Sequence, residues 1–240
     1  MMGRVLMFTS LAFLGTAHRI SAQVADDKVY TFVLFDELEY QQDGETNPIH
    51  WDAEGWIGRD FEKLWFKTEG EQLTSNGEGE GELQVLYSRL FSGFWDLQVG
   101  LRLDGRYGGD VDHWRGLVAF GFEGLAPYWF QVEAATFISH NGDVSFRASV
   151  TYDMFLGQRL VAQPRIEVNV AVQEVPEFGI GSGLNDFELG WRLRYEIERE
   201  FAPYVGVSWI RRVGGTADMA RDIGLNAGDL SLVGGVRVWF

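Results

Sequence analysis

The chain has 240 residues, of which 15% are aromatic and 30 are glycine, with no cysteine and a formal charge of −15 at pH 7. That length suits one domain, or a barrel of about ten to fourteen strands at roughly ten residues per membrane strand. Without cysteine neither a disulfide framework nor a thiolate metal site can form, and the acidic balance argues against a nucleic-acid partner, because a phosphate backbone rewards clustered Lys and Arg.

The amino terminus carries Arg4, an apolar run from Val5 to Ala17, and small residues at Gly15, Ala17 and Ala22. The run is too short to cross a bilayer as a helix, and its layout predicts a secretory signal peptide over residues 1–22, with Ala22 preferred to Ala17 as the cleavage position. Residues 23–29 make a short amino-terminal segment, and residues 30–240 a single β domain. Past the signal no run approaches the roughly 18 apolar residues of a transmembrane helix.

From there the chain alternates with a two-residue period and shows no helical period. Strands are predicted near residues 31–40, 49–58, 62–69, 82–89, 95–103, 114–122, 128–138, 144–155, 159–172, 186–196, 203–211 and 231–240. That makes about twelve, an even number, as a single-chain bacterial barrel requires. The connections alternate in length. Short reversals are expected at residues 59–60, 90–94, 123–127, 156–158 and 199–202, and longer polar loops at 41–48, 70–81, 104–113, 173–185 and 213–229, with only residues 140–143 breaking the pattern by being short on the long side. Short turns at one rim and long loops at the other match the periplasmic and extracellular ends of an outer-membrane barrel. Nine Trp and eight Tyr suit its interfacial girdles, although that composition also suits a carbohydrate-binding sandwich.

Parity assigns the faces. Leu83, Val85 and Tyr87 oppose Glu82, Gln84 and Ser88; Trp95, Leu97, Val99, Leu101 and Leu103 oppose Asp96, Gln98, Gly100, Arg102 and Asp104. A Lys or Arg on the lipid face near the midplane costs about 2 to 4 kcal/mol, so clean segregation is what hydrocarbon demands. In the first strand the parity that turns Leu34, Leu38 and Tyr40 outward sends Asp36 outward too, which calls for a bulge or a rim position. The expected fold is all-β: a transmembrane antiparallel up-and-down β-barrel of about twelve strands in the bacterial outer membrane. Its last strand ends in Phe240, similar to the terminal aromatic signal read by barrel-assembly machinery.

Several ordered motifs carry a family resemblance: Trp51-Asp52-Ala53 with Trp56, Gly58, Asp60, Leu64-Trp65 and Lys67; Leu86-Tyr87-Ser88-Arg89 with Phe94-Trp95-Asp96-Leu97-Gln98; and Gly124-Leu125-Ala126-Pro127-Tyr128. Gln163-Pro164-Arg165, Gly179-Ile180-Gly181-Ser182-Gly183-Leu184, the run from Leu193 to Val207 and Gly214-Gly215-Thr216-Ala217 complete them. Across residues 29–240 the chain resembles the copper resistance protein B family of outer-membrane proteins. The resemblance implies a barrel serving copper tolerance by binding copper ions or passing them through a polar lumen, with outer-membrane lipid, lipopolysaccharide and periplasmic copper proteins as partners. Many members carry a long Met- and His-rich segment before the barrel. Here only Met154 and Met219 follow the signal, so a thioether store suited to Cu(I) is not expected.

After the signal the histidines are His50, His113 and His140. If the first hairpin turns near residues 44 and 45, Glu39 pairs with His50 and Glu37 with Asp52, all on the lumenal face, while Leu38 meets Trp51 toward lipid. One imidazole with three carboxylates could hold Cu(II) or another borderline divalent ion. The plainer account is a hydrated lumenal cluster paired with Lys63, Lys67 or Arg237. Asp110, Asp112 and His113 form a second small group in an outer loop, and Glu69, Glu71, Glu78, Glu80 and Glu82 an acidic, glycine-rich loop expected to be mobile. Lys63, Lys67, Glu133, Arg147, Asp153, Arg165, Glu167, Glu188, Arg192, Arg194 and Arg237 are expected to point inward and to make a salt-bridged interior rather than an open pore. Two other classes stay open: a structural or adhesive barrel, and a barrel hydrolase. The hydrolase would draw on Ser139-His140-Asn141, whose neighbouring side chains point to opposite faces and make no triad by themselves.

Overall fold

A strand that alternates large apolar and charged side chains presents two faces to two media, and here such strands pair in sequence until the first meets the last. The structure, a computed structural model, describes residues 28–44, 46–109 and 111–240. The expected signal peptide over residues 1–22 lies outside the described residues. The elements run β1 (Tyr30–Gln42), β2 (Pro48–Gly58), β3 (Glu62–Leu73), β4 (Gly79–Ser92), β5 (Trp95–Tyr107), β6 (His113–Ala126), β7 (Phe130–Ser139), β8 (Val144–Thr151), β9 (Met154–Phe155), β10 (Leu160–Ala171), β11 (Gly183–Tyr195), β12 (Phe201–Arg212), α1 (Gly214–Asp222) and β13 (Gly228–Trp239).

All neighbouring strands are antiparallel, and β1 pairs with β13 to close the barrel. The terminal residue takes part in closure: the Phe240 N–H donates to the Val33 carbonyl at 2.9 Å. β8 and β9 both pair with β10 in one continuous register, so the thirteen segments fill twelve positions around the wall. The break between β8 and β9 falls opposite Pro164, which has no N–H to give to the ladder. The Tyr152 N–H still reaches the Pro164 carbonyl at 3.1 Å, which holds the two halves in line.

The outer face is apolar and exposed. Leu97, Val99, Leu101, Val118 and Phe120 are 39, 45, 65, 50 and 54% exposed respectively. An apolar surface of this extent would drive association in water, and it has the alternation expected of the lipid-facing side of a barrel. Trp51 lies on this face over two glycines: a Cβ at Gly70 would sit 2.5 Å from the Trp51 ring, and one at Gly81 3.2 Å from it. The bare backbone lets the indole lie flat across β3 and β4 and pins their register.

Several local expectations are corrected. A bulge falls between Phe35 and Glu37, and it reverses the parity of the first half of β1. Leu34 therefore points inward and is 7% exposed, while Leu38 and Tyr40 face outward as expected. Asp36, at the bulge, turns to Arg237 in the interior. The acidic segment at residues 70–81 is a strand hairpin with only residues 74–78 outside the ladder, because Glu69 faces Glu82 and Glu71 faces Glu80 across it. β5 likewise continues to Tyr107, beyond the loop start expected at residue 104. Residues 127–129 form a 3-10 turn rather than the start of a strand. The β12–β13 connection contains the helix α1, which nine residues without a marked apolar stripe did not announce.

The interior is also not uniformly polar. Trp65, Leu86, Leu117, Ala119 and Phe137 are buried together on the inner face of β3 to β7, with Trp56 and Ala135 against them. Charged groups are interleaved with this apolar cluster: the Lys67 ammonium lies 5.3 Å from the Trp65 ring centroid and the Arg102 guanidinium 4.3 Å from that of Phe137.

Candidate functional site

The first hairpin forms in the expected register: Glu37 faces Asp52, Leu38 faces Trp51 and Glu39 faces His50. Glu37 and Glu39 are 3 and 2% exposed, so the parity that carries them inward also removes them from solvent. His50 Nε2 lies 3.4 Å from Glu37 Oε2. The four candidate ligands are therefore neighbours on the lumenal face.

Their partners differ from those expected. Arg192 of β11, rather than Lys63, Lys67 or Arg237, neutralises the pair of glutamates. Its Nε donates to Glu39 Oε2 at 2.9 Å and its Nη2 to Glu39 Oε1 at 2.8 Å and to Glu37 Oε2 at 2.5 Å. Arg165 of β10 donates through Nη1 to Asp52 Oδ2 at 3.0 Å and through Nη2 to Glu167 Oε2 at 2.8 Å. A planar guanidinium donating in parallel to a carboxylate is the strong form of such a bond. Among the described residues, no group of three or more His, Cys, Asp or Glu side chains is arranged to hold a metal ion.

Some of the remaining charges form struts between strands far apart in the ring, and others pair nearby strands. Arg147 of β8 reaches Glu69 of β3 at 2.9 Å and Glu82 of β4 at 2.9 Å. Lys67 of β3 reaches Glu123 of β6 at 2.7 Å and Glu133 of β7 at 2.9 Å, with Glu54 at 3.9 Å. Lys63 pairs with Asp96 at 2.9 Å, Arg194 with Asp153 at 3.0 Å, and Arg237 with Asp36. The Ser208 hydroxyl donates to Glu188 Oε1 at 2.6 Å. Every charge assigned to the interior from parity thus meets a polar partner there.

Arg115 and Glu123 of β6 and Glu54 of β2 join the interior charges without having been assigned there from the sequence. Arg115 binds Asp104 at 2.7 Å, and Asp104 also takes Arg102 at 2.5 Å. The available signal was the alternation itself: Arg115 falls between Trp114 and Gly116, which face out. At the base of the acidic hairpin at residues 70–81, Glu69 and Glu82 both hold Arg147.

The second group does not assemble around a common centre. Asp110 lies outside the described residues, the Asp112 carboxylate accepts from the Gly108 N–H at 3.2 Å, and His113 packs edge-on to Phe178 with ring centroids 6.4 Å apart. The Ser139 hydroxyl donates to Asp143 at 2.8 Å and accepts the N–H groups of Asn141 and Asp143 at 3.1 Å each, which ties it into the β7–β8 turn. His140 lies in the same turn, its Nδ1 3.4 Å from the Gly116 carbonyl.

Residues 29–240 match the profile of the family described as "Copper resistance protein B precursor (CopB)". The chain is 43% identical over 218 residues to "Copper resistance protein B" of Escherichia coli, covering 90% of this chain and 72% of that protein. It is 39% identical over 218 residues to "Copper resistance protein B homolog" of Pseudomonas syringae pv. tomato (strain ATCC BAA-871 / DC3000), covering 91% of this chain and 72% of that one. Among solved structures it is similar to the NanC porin, with a TM-score of 0.52 at 10% sequence identity, over 87% of this chain and 99% of the porin. At that identity the likeness concerns the barrel fold alone.

Proposed function

The chain belongs to the copper resistance protein B family, and from that premise we propose that it sits in the bacterial outer membrane and serves copper tolerance by binding copper ions within its lumen and passing them along it. The observation that carries this reading is the sharing of bases among carboxylates. Lys67 alone serves Glu54, Glu123 and Glu133. Arg165 serves Glu37, Asp52 and Glu167. An interior in which one cation answers several carboxylates attracts further cations, and low-dielectric walls concentrate that field.

Glu37, Glu39, His50 and Asp52 are the proposed binding step. Imidazole nitrogen with carboxylate oxygen suits a borderline divalent ion such as Cu(II). The incoming ion competes with the guanidinium groups of Arg192 and Arg165 for the same oxygens, which favours brief occupancy over storage. A narrow barrel with transverse struts also suits passage of single ions better than free diffusion of large solutes. Lipopolysaccharide outside and a periplasmic copper protein inside are the partners this reading implies.

The test is to delete the gene and follow growth and cell-associated copper across a copper series, then to restore the chain with Glu37, Glu39, His50 and Asp52 all changed to alanine. Loss of tolerance on deletion, not restored by the quadruple variant, supports the reading. The engagement of all three carboxylates by arginine favours a second reading, a barrel whose lumenal charges only brace its wall. Unchanged tolerance and unchanged copper content on deletion select that one.

A further inference from the structure

Two glycine-containing motifs that lie about thirty residues apart in the chain meet at the outer mouth. Gly181, in the connection from β10 to β11, packs directly on the start of α1: a Cβ there would lie 2.4 Å from the Thr216 backbone nitrogen and 2.7 Å from the Gly215 carbonyl carbon. The Thr216 hydroxyl accepts the Gly181 N–H at 2.9 Å and the Asn185 side-chain amide at 2.9 Å. The Val213 N–H donates to the Asn185 carbonyl at 2.8 Å. Thr216 and Asn185 are 8 and 4% exposed, although both lie in connections outside or at the edge of the strands.

From this latch the connection does not stand up into solvent. It runs inward to strands three and four positions away in the ring. The Phe178 ring lies over the guanidinium of Arg115 at 4.5 Å, and edge-on to His113 with ring centroids 6.4 Å apart, both residues of β6. The Glu177 carbonyl accepts from Arg106 of β5 at 3.5 Å. His113 and Arg115 have inward parity, so the connection spans a chord across the opening rather than following the rim.

We propose that residues 173–182 form a lid over the outer mouth of the barrel, held shut by the Thr216–Gly181–Asn185 latch on one side and by the seat of Phe178 on Arg115 at the other. Its opening admits solute from outside to the lumen. The inference concerns access, whatever ion is carried, and it stands or falls separately from the copper reading.

The test uses the absence of cysteine in the chain. Ser231 is 5% exposed on the inner face of β13 near the outer mouth, and Ser88 is fully buried on the inner face near the opposite rim. The full-length protein carrying Ser231→Cys or Ser88→Cys alone is purified in its mature form, placed in lipid nanodiscs and timed for reaction with a water-soluble maleimide. Adding Thr216→Ala together with Phe178→Ala removes the latch and the seat. Loss of two or more net hydrogen-bond equivalents is expected to raise the rate at Ser231→Cys about tenfold or more, with the rate at Ser88→Cys unchanged. Retained heat-modifiable migration on gels checks that the barrel is folded. An unchanged rate at Ser231→Cys, or an equal rise at both positions, overturns the proposal.

Discussion

Arg192 grips Glu39 through two parallel hydrogen bonds, Nε to Oε2 at 2.9 Å and Nη2 to Oε1 at 2.8 Å, with side chains only 3 and 0% exposed. Breaking such a pair from one side leaves a buried charge without its counter-ion. Arg192→Ala is therefore expected to destabilise the barrel by about 3 to 5 kcal/mol, measured by reversible urea unfolding in lipid vesicles. A loss under about 1 kcal/mol, the scale of an exposed pair, would show that water reaches Glu39.

The same guanidinium competes with metal. If the Glu37, Glu39, His50 and Asp52 cluster is a copper step, Arg192→Met removes the guanidinium from Glu39 and leaves Glu37 with Arg165 as its base, while filling the space. Cu(II) affinity, read by calorimetry on folded protein, is then expected to rise by about tenfold or more. His50→Ala should reverse the gain, because it removes the one nitrogen donor of the set. Equal affinities in all three proteins would remove this cluster from the pathway.

The outer face gives a prediction about the membrane. Leu101 lies at the centre of β5 and is 65% exposed. Leu101→Arg is expected to cost about 2 to 4 kcal/mol of folding stability in a bilayer. Trp114→Arg, near the outer end of β6, is expected to cost about 1 kcal/mol or less, since the penalty falls toward the interface. Equal costs at the two depths would contradict a bilayer centred on the strands.

Trp51 over Gly70 and Gly81 is an aromatic bridge across two strands. Its indole N–H also donates to Thr68 at 3.3 Å. Trp51→Ala is expected to cost about 1 to 2 kcal/mol from lost aromatic packing and to speed backbone amide exchange in the β3–β4 hairpin. No change in exchange there would show that the ladder alone sets the register.

Alternation was enough to mark most of the wall and the first-hairpin register, because period two is a local property and a one-residue slip would turn apolar groups inward. It misplaced Leu34 because a bulge adds one residue to a single strand, and nothing in the run from Val33 to Glu39 signals that addition except the oddly placed Asp36. It made a loop of residues 70–81 because glycine and glutamate have low strand propensity, whereas the neighbouring strands and the cover of Trp51 hold them in the ladder.

What the sequence determined by itself was the two-faced character of the strands and most of the inward positions, since both follow from the order of apolar and charged residues along each strand. Only the tertiary structure decided who meets whom. Arg192 finds Glu37 and Glu39 from more than 150 positions away, Arg147 spans the lumen to Glu69 and Glu82, and Gly181 closes on Thr216. Those partners are set by the curvature and closure of the whole sheet, through distances that no stretch of neighbouring residues contains.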